Sequence, residues 1–513
     1  MKIHCKKILC VVSLFLALLG GCARQAPAQL PHQEAVTLRI LTVGSSGEDA
    51  CRRISAALSE ITREKLGFSV ELQQAPMSNY DSVLSRQMLL GDAPDLFCYM
   101  DPEYLLNCVE ERYLAALDGM LKDSAWLKSY VPQELWACVR VGGQIYAVPA
   151  NNNVNYSQGF LARADIVRAL GIDPAAVTTW DQLHDVLVQV KNAYPEMVPV
   201  VPHFSQIQQT LGQDPLGDNL GVLLDNQGTT VENLYASKQY AEVCRRMHQW
   251  YEEGLILKDA SLTDDSAPRM MKLYDGFGFF PRVSDNNIIS STRSFGEELV
   301  PFVMSDPIAN TSSVNLGWCV GANSQYKREA MQMIELLYID QETADLCIYG
   351  QEDVDYVRLD EDTVTNIAAP PADEWSTIHW GWPNRQAAST WTLPGKTLPK
   401  VPLKGAQRSP AMGFVFDSTP VQSAVNRCKT VTDKYHNVLM SGYLDPEDAP
   451  PPGKGVLQGK AGVVVGLYRH CCPRNLQHSG KAAPLRAAKH RQQPAQQSVH
   501  PGAAEQKLPR AHR

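Results

Sequence analysis

From Val36 onward, apolar and polar positions alternate between a period near two and a period near 3.6. Residues 36–43 form a β-rich run closed by the turn Gly44-Ser45-Ser46-Gly47. A helical period follows from Glu48 to Leu66, with Ile54, Leu58, Ile61 and Leu66 on one side and Gly67 as its stop. Residues 68–72 read as a second strand, and Ser78 with Asp81 as a weak capping box opening a helix that ends near Gly91. Residues 95–100 read as a third strand. This βαβαβ order predicts an α/β fold with a parallel sheet covered by helices on both faces. Residues 142–149 (Gly-Gly-Gln-Ile-Tyr-Ala-Val-Pro) read as a turn, a short strand and a crossing point. Later helices are predicted from Trp180 to about Ala193, from Ser237 to Glu253 and from Lys327 to Tyr338. The chain carries no internal repeat and no dinucleotide or P-loop glycine pattern.

The first thirty residues add an export signal. Lys2, Lys6 and Lys7 precede an apolar run of twelve residues, 8–19, which is too short for the roughly 20 that span a bilayer but suits the core of a signal peptide. The run ends in Leu19-Gly20-Gly21-Cys22, which looks like a bacterial lipobox with Cys22 as the lipidated residue; an ordinary signal peptide with an incidental Cys22 is the alternative. Residues 1–21 then form the signal peptide, and residues 22–35 a flexible tether to an anchor of acyl chains.

Charge is unevenly spread over the 513 residues. Residues 1–21 carry +3 and residues 449–513 carry eleven Lys or Arg against one acid, so a net charge of −8 leaves residues 22–448 at −21. A body that acidic repels a phosphate backbone, which argues against nucleic acid as its partner. Thirteen cysteines in an exported chain suggest disulfides, but Cys51, Cys98, Cys108, Cys138, Cys244, Cys319, Cys347 and Cys428 are scattered singly without CxxC spacing. Buried free thiols are expected, with no metal and no cofactor.

The order of motifs resembles a known family. A lipobox and a βαβαβ half are followed by Ile145-Tyr146-Ala147-Val148-Pro149 and Gly159-Phe160-Leu161-Ala162-Arg163-Ala164-Asp165. That arrangement resembles the extracellular solute-binding proteins of bacterial ABC importers (family 1 type). Leu170-Gly171-Ile172-Asp173, Trp180-Asp181-Gln182-Leu183, Asn233-Leu234-Tyr235, Trp250-Tyr251, Glu335-Leu336-Leu337-Tyr338 and Gly413-Phe414-Val415-Phe416-Asp417 resemble the LipO-like lipoprotein branch of Firmicutes. The resemblance covers roughly residues 36–448. It implies a two-lobed, periplasmic-binding-protein-like fold (type II), each lobe a mainly parallel sheet flanked by helices, joined by hinge strands. Lobe 1 is expected at 36–148 plus 276–330, and lobe 2 at 149–275 plus 331–448. Ligand would favour a closed form by contacting both lobes. The implied function is capture of a small solute, an oligosaccharide favoured over a peptide, for delivery to ABC permease transmembrane subunits. The implied protein is a monomer without catalytic residues, lipid-anchored on the outer face of the cell membrane. A surface sensor or adhesin using the same clamp remains open.

Ligands in open parallel sheets lie beyond the carboxyl ends of strands. That rule selects Ser45 and Ser46 after the first strand, Asp101 after the third, and Asn151, Asn153 and Tyr156 after the crossing point. Amide groups can donate to one sugar hydroxyl and accept from its neighbour, although the asparagine-rich stretch also suits a polar loop closed by its own Asx turns. Aromatic faces suit pyranose C–H groups. Trp318, Trp382 and the adjacent Asn384 are therefore candidates, with Trp380 beside them; Tyr80 and Phe277 are weaker ones. Trp180 and Trp250 fall in helical patterns and read as structural. A glycosidase would need two facing carboxylates, such as Asp101 with Asp275 or Asp285.

The resemblance ends near Asp448. Residues 449–513 hold eight prolines, five of the twelve histidines and one aromatic, a composition expected to be disordered. A reading-frame shift in a GC-rich gene is the favoured origin of this tail. The alternative is a basic tail that binds anionic wall polymer, lipid or nucleic acid.

Overall fold

A computed structural model describes residues 36–448 except 152–153, 202–210, 218, 259–265, 314–315, 369–373, 376–383 and 417. Cys22, Asn153, Trp380, Trp382 and the basic tail lie outside the described residues.

The first three strands form as their periods predict. Thr37–Val43 pairs in parallel with Ser69–Ala75 on one side and Leu96–Tyr99 on the other. The helix Glu48–Lys65 buries Ile54 and Leu58 against this sheet. Tyr80–Leu90 is the second helix, but Asn79 caps it without a side-chain bond, so the expected Ser78 capping box does not form. The sheet is completed by Gly317–Val320, antiparallel to Leu96–Tyr99, and by Val148–Pro149 on its far side.

A second sheet is centred on Ser157–Arg163. Ala162 pairs with Val300 of Leu299–Val303 on one side and with Gly278 of Gly276–Phe279 on the other, and Val198–Val200 follows in parallel. In each sheet one strand runs against the rest, and in both it is the first strand after the chain crosses from the other sheet. The carboxyl ends of the remaining strands therefore point towards the same space between the lobes.

This pairing corrects the expected lobe boundaries. Residues 276–303 belong to lobe 2, because their strands pair with Ser157–Arg163 across more than a hundred residues. The helices Lys327–Ile339 and Gln341–Tyr349 belong to lobe 1, where Met333, Ile334, Tyr338 and Cys347 pack in one core with Leu41, Phe97 and Trp318. Trp375 and Trp391 join that core. The helix Gln422–Met440 does lie in lobe 2, with Leu439 and Met440 against Met247 and Trp250. Trp250 is buried and Trp180 packs its ring 5.9 Å away, so both are structural as expected.

Among the described residues the chain crosses between lobes three times: after Pro149, after Val303 and after Trp391. Tyr156 N–H donates to Ile308 O (3.0 Å) and Ile308 N–H returns the bond (2.8 Å). Ile308–Ala309 then pairs in parallel with Gln407–Arg408, so the three crossings lie side by side in one strip. Where the second crossing re-enters lobe 1, Leu316 adopts φ 70° and Gly317 follows. A Cβ on Gly317 would sit 2.4 Å from Tyr99 Cε1 and 2.6 Å from Val148 O.

Seven of the eight described cysteines are buried and none is paired; Cys51 is half-buried. Burial pushes the thiols of Cys108, Cys138 and Cys244 up to about 12.

The Gly317→Ala variant should lose about 1–3 kcal/mol of stability, because both neighbours of the new methyl belong to packed strands. A lowered urea midpoint in an equilibrium unfolding curve checks this; an unchanged midpoint would mean that the strand gives way freely.

Candidate functional site

Between the lobes lies a cavity of about 210 Å³. Its lobe 1 wall is Asp101, Pro102 and Glu103, which leave the sheet directly after Leu96–Tyr99. Its lobe 2 walls are Pro215 to Gly217 and the pair Thr311–Ser312, with Phe414, Val415, Phe416 and Ser418 closing the remaining side.

Each wall is held by local chemistry. Asp101 caps the helix Pro102–Glu110, its Oδ1 accepting from Tyr104 N–H (2.8 Å). Asp214 is fully buried and ties two walls together. Its carboxylate accepts from Thr311 Oγ1, from Thr311 N–H (3.2 Å) and from Leu216 N–H (3.3 Å). Ser312 is fixed from behind: Arg282 Nη1 and Nη2 donate to its carbonyl (2.9 Å) and its Oγ (2.6 Å), and that hydroxyl donates to Asn310 Oδ1 (2.8 Å). Phe416 and Ala411 pack with Leu216 and Cys428, which fixes the aromatic wall to the helix Gln422–Met440.

Chemically, the cavity offers two carboxylates, three hydroxyls and two phenyl groups, and no Lys, Arg or His is among its described lining. Ionised carboxylates only accept hydrogen bonds, so the site suits a ligand rich in hydroxyl donors with apolar faces between them. Among the described residues, no group of three or more His, Cys, Asp or Glu is placed to hold a metal ion.

Of the residues singled out from sequence, Asp101 lines the cavity. Ser45 and Ser46 follow the first strand at the same sheet edge but are not part of its lining; Ser46 N–H donates to Gln74 Oε1 (3.0 Å). Tyr156 lies in the hinge strip, where its hydroxyl accepts from Asn310 Nδ2 (3.0 Å) and Arg282 covers its ring at 4.7 Å. Burial pushes its phenol up, opposed by the guanidinium. Asn151 is buried at the first crossing, its amide 3.5 Å from Tyr130 O and 3.4 Å from Gln386 Oε1.

Four candidates are structural. Tyr80 is buried in lobe 1, its hydroxyl donating to Leu41 O (3.1 Å) and accepting from Cys98 N–H (3.0 Å), which staples helix to sheet. Trp318 is buried because its strand is central and covered on both faces. Asn384 is buried and its amide donates to Tyr338 O (3.2 Å), near the end of Lys327–Ile339. Phe277 is likewise core. The imagined carboxylate pairs are not assembled: Asp275 precedes its strand, at the end remote from the cleft, and pairs with Arg163 (2.6 Å), while Asp285 accepts from Val401 N–H (2.8 Å).

Glu103, Leu216, Thr311, Ser312, Phe416 and Ser418 were not selected from sequence. The strand-end rule, applied after Leu299–Val303, would have reached Thr311 and Ser312. The Gly413 to Asp417 motif already marked Phe414 and Phe416, though not as ligand contacts.

Two lobes, three laced crossings and a cavity walled from both sides define a ligand clamp of the type II solute-binding architecture. A family model described as bacterial extracellular solute-binding protein matches residues 56–351, and this chain belongs to that family. A second, described as a domain of unknown function (DUF3502), matches residues 410–459, extending past Asp448. A Streptococcus pneumoniae protein described as a carbohydrate ABC transporter substrate-binding protein is 24% identical over 417 residues, 79% of this chain and 83% of the relative. The fold is similar to the Streptococcus pneumoniae N-glycan transport solute-binding protein in complex with Man1GlcNAc, with a TM-score of 0.69 at 21% identity, covering 86% of this chain and all of that one. An extracellular solute-binding protein from Bifidobacterium longum subsp. infantis aligns at TM-score 0.56 and 15% identity, covering 85% of this chain and 98% of the other. No helix among the described residues is long and apolar enough to cross a membrane.

Asp214→Ala would leave three donors at the cavity wall without their acceptor. It should cost about 1–3 kcal/mol, read as a lower urea midpoint at unchanged slope.

Proposed function

We propose that this protein captures a neutral oligosaccharide in the cleft between its lobes and delivers it to the transmembrane subunits of an ABC importer. The observation that carries the reading is the cavity itself. Both lobes contribute to it, its acceptors are carboxylates, its apolar walls are phenyl rings, and its described lining holds no cation. Hydroxyl groups satisfy Asp101 and Glu103, whereas a uronate or phosphate would meet like charge. The carbohydrate-transport description of the Streptococcus pneumoniae relative supports the same ligand class. A peptide would need a cation for its carboxyl terminus. Arg163 is held by Asp165 and Asp275 at the far end of its strand.

The protein acts by binding alone, as a monomer without a cofactor. Residues 1–21 direct export and Cys22 carries the lipid that keeps the clamp on the outer face of the membrane. Metabolic labelling with a fatty acid tests the anchor: label lost on Cys22→Ala supports it, and label retained overturns it.

Ligand class is tested by thermal unfolding with mannose-, glucose- and N-acetylhexosamine-based oligosaccharides of two to six residues, oligouronates, and short peptides. A ligand at a hundred times its dissociation constant should add about 2.7 kcal/mol. Stabilisation by a neutral sugar class, reduced at least tenfold in affinity by Asp101→Ala, is the expected outcome. Stabilisation by peptides or oligouronates alone would overturn the reading.

A further inference from the structure

The cavity is smaller than the roughly 300 Å³ at which clefts for drug-sized ligands begin, so an oligosaccharide seated there must continue outside it. The sheet register places a further segment of the same edge within its reach. Gly317 pairs with Tyr99 on one side and with Pro149 on the other. Asp101 and Asn151 therefore leave the same edge of the lobe 1 sheet, two strand spacings or about 10 Å apart.

Beside Asn151 stands a pair of aromatic rings that the fold holds but does not bury. Trp126 and Tyr130 are each 38% exposed, while most other described aromatics of lobe 1 are sealed. Their ring centroids lie 6.0 Å apart at 62°. Each ring is held at its polar tip. Trp126 Nε1 donates to Glu335 Oε1 (3.1 Å), and Tyr130 Oη donates to Gln386 Oε1 (3.4 Å). Tyr130 also rests edge-on against Tyr338 (6.3 Å), whose hydroxyl donates to Pro149 O (2.7 Å). Contact by contact, the rings are thus tied to the crossing segment at that sheet edge. The amides of Asn151 and Gln386 and the Glu335 carboxylate border them.

We propose that Trp126 and Tyr130 form a second saccharide subsite, on which a sugar ring beyond the one in the cavity stacks its C–H face. This rests on the oligosaccharide reading above. The chemistry is the usual complement of a pyranose: π faces whose negative quadrupole attracts C–H groups, and amides and a carboxylate at the rim for the equatorial hydroxyls. Rings held in place before binding lose little entropy when the sugar arrives, so each contact adds directly to affinity. The subsite makes the protein a reader of chain length, with longer ligands bound more tightly than the disaccharide of the same class.

The test is calorimetric titration of the full mature chain and of Trp126→Ala, Tyr130→Ala and Tyr130→Phe, using the two- to six-residue probes of the class that stabilises it. The expected result is about a tenfold loss of affinity for probes of four or more residues in either alanine variant. Affinity for the disaccharide and the melting temperature should be unchanged, and Tyr130→Phe should keep most of the binding. Equal affinity of wild type and alanine variants for the long probes would overturn the subsite and leave the cavity reading intact. Equal losses for short and long probes would also overturn it, by making the rings part of the cavity's support. Failure of every saccharide to bind wild type would overturn the function itself, and the subsite with it.

Discussion

The hydrogen-bonded strip of three crossing segments is the constraint on which the rest of the structure depends. Tyr156 and Ile308 exchange two backbone bonds, and Gln407 N–H and Ser409 N–H donate to Pro307 O and Ala309 O (2.8 Å each). Asparagine amides lock the strip from its flanks: Asn226 Nδ2 reaches both Ala309 O and Gln407 O, and Asn155 Nδ2 reaches Leu403 O. One crossing alone would let the lobes twist. Three crossings bonded edge to edge leave bending as the soft motion, which is what a hinge-closing clamp requires. The strip also sets the walls of the cavity, because Thr311 and Ser312 follow its middle strand.

Each lobe keeps its own core, and this separates folding from closure. Lobe 1 packs Leu41, Ile54, Phe97, Trp318 and Met333 in one cluster, while Phe160, Met247, Trp250 and Phe302 pack in another. Rotation of one lobe against the other therefore leaves both buried clusters whole and shifts the half-buried Ile289 of lobe 2 where it packs against lobe 1. The energy of closure is left to the cleft, where ligand touching both walls stabilises the closed state by its differential affinity for it.

Legibility in the sequence followed the range of the interactions. The βαβαβ start was readable because periods of two and 3.6 are local, and the place of Asp101 at the cavity wall was readable because it follows the end of a strand. The lobe boundaries were not. Gly276–Phe279 pairs with Ser157–Arg163, and nothing in either segment names the other. Burial was equally opaque: Trp318 carries a ring suited to a sugar face, yet both faces of its strand are covered. Tyr80 and Asn384 carry the right polar groups for a ligand, but the fold spends them on a backbone staple and on helix carbonyls.

Several of the polar contacts that bridge the lobes away from the strip are weak. Glu134 and Arg408 form an ion pair at 2.5 Å, with side chains 39% and 45% exposed. A pair that open to water contributes about 0–1 kcal/mol. Glu103 and Ser418 face each other across the cavity at 3.5 Å, the outer limit of a hydrogen bond. Arg293 Nε donates to Asn366 Oδ1 (3.1 Å) between the lobes, and burial disfavours the charge on that guanidinium. Contacts of this size do not hold the lobes together against thermal motion on their own. On the function proposed above, a ligand that satisfies the Asp101 and Glu103 carboxylates and covers the phenyl walls outweighs them, and the position of the lobes then reports whether the cleft is filled.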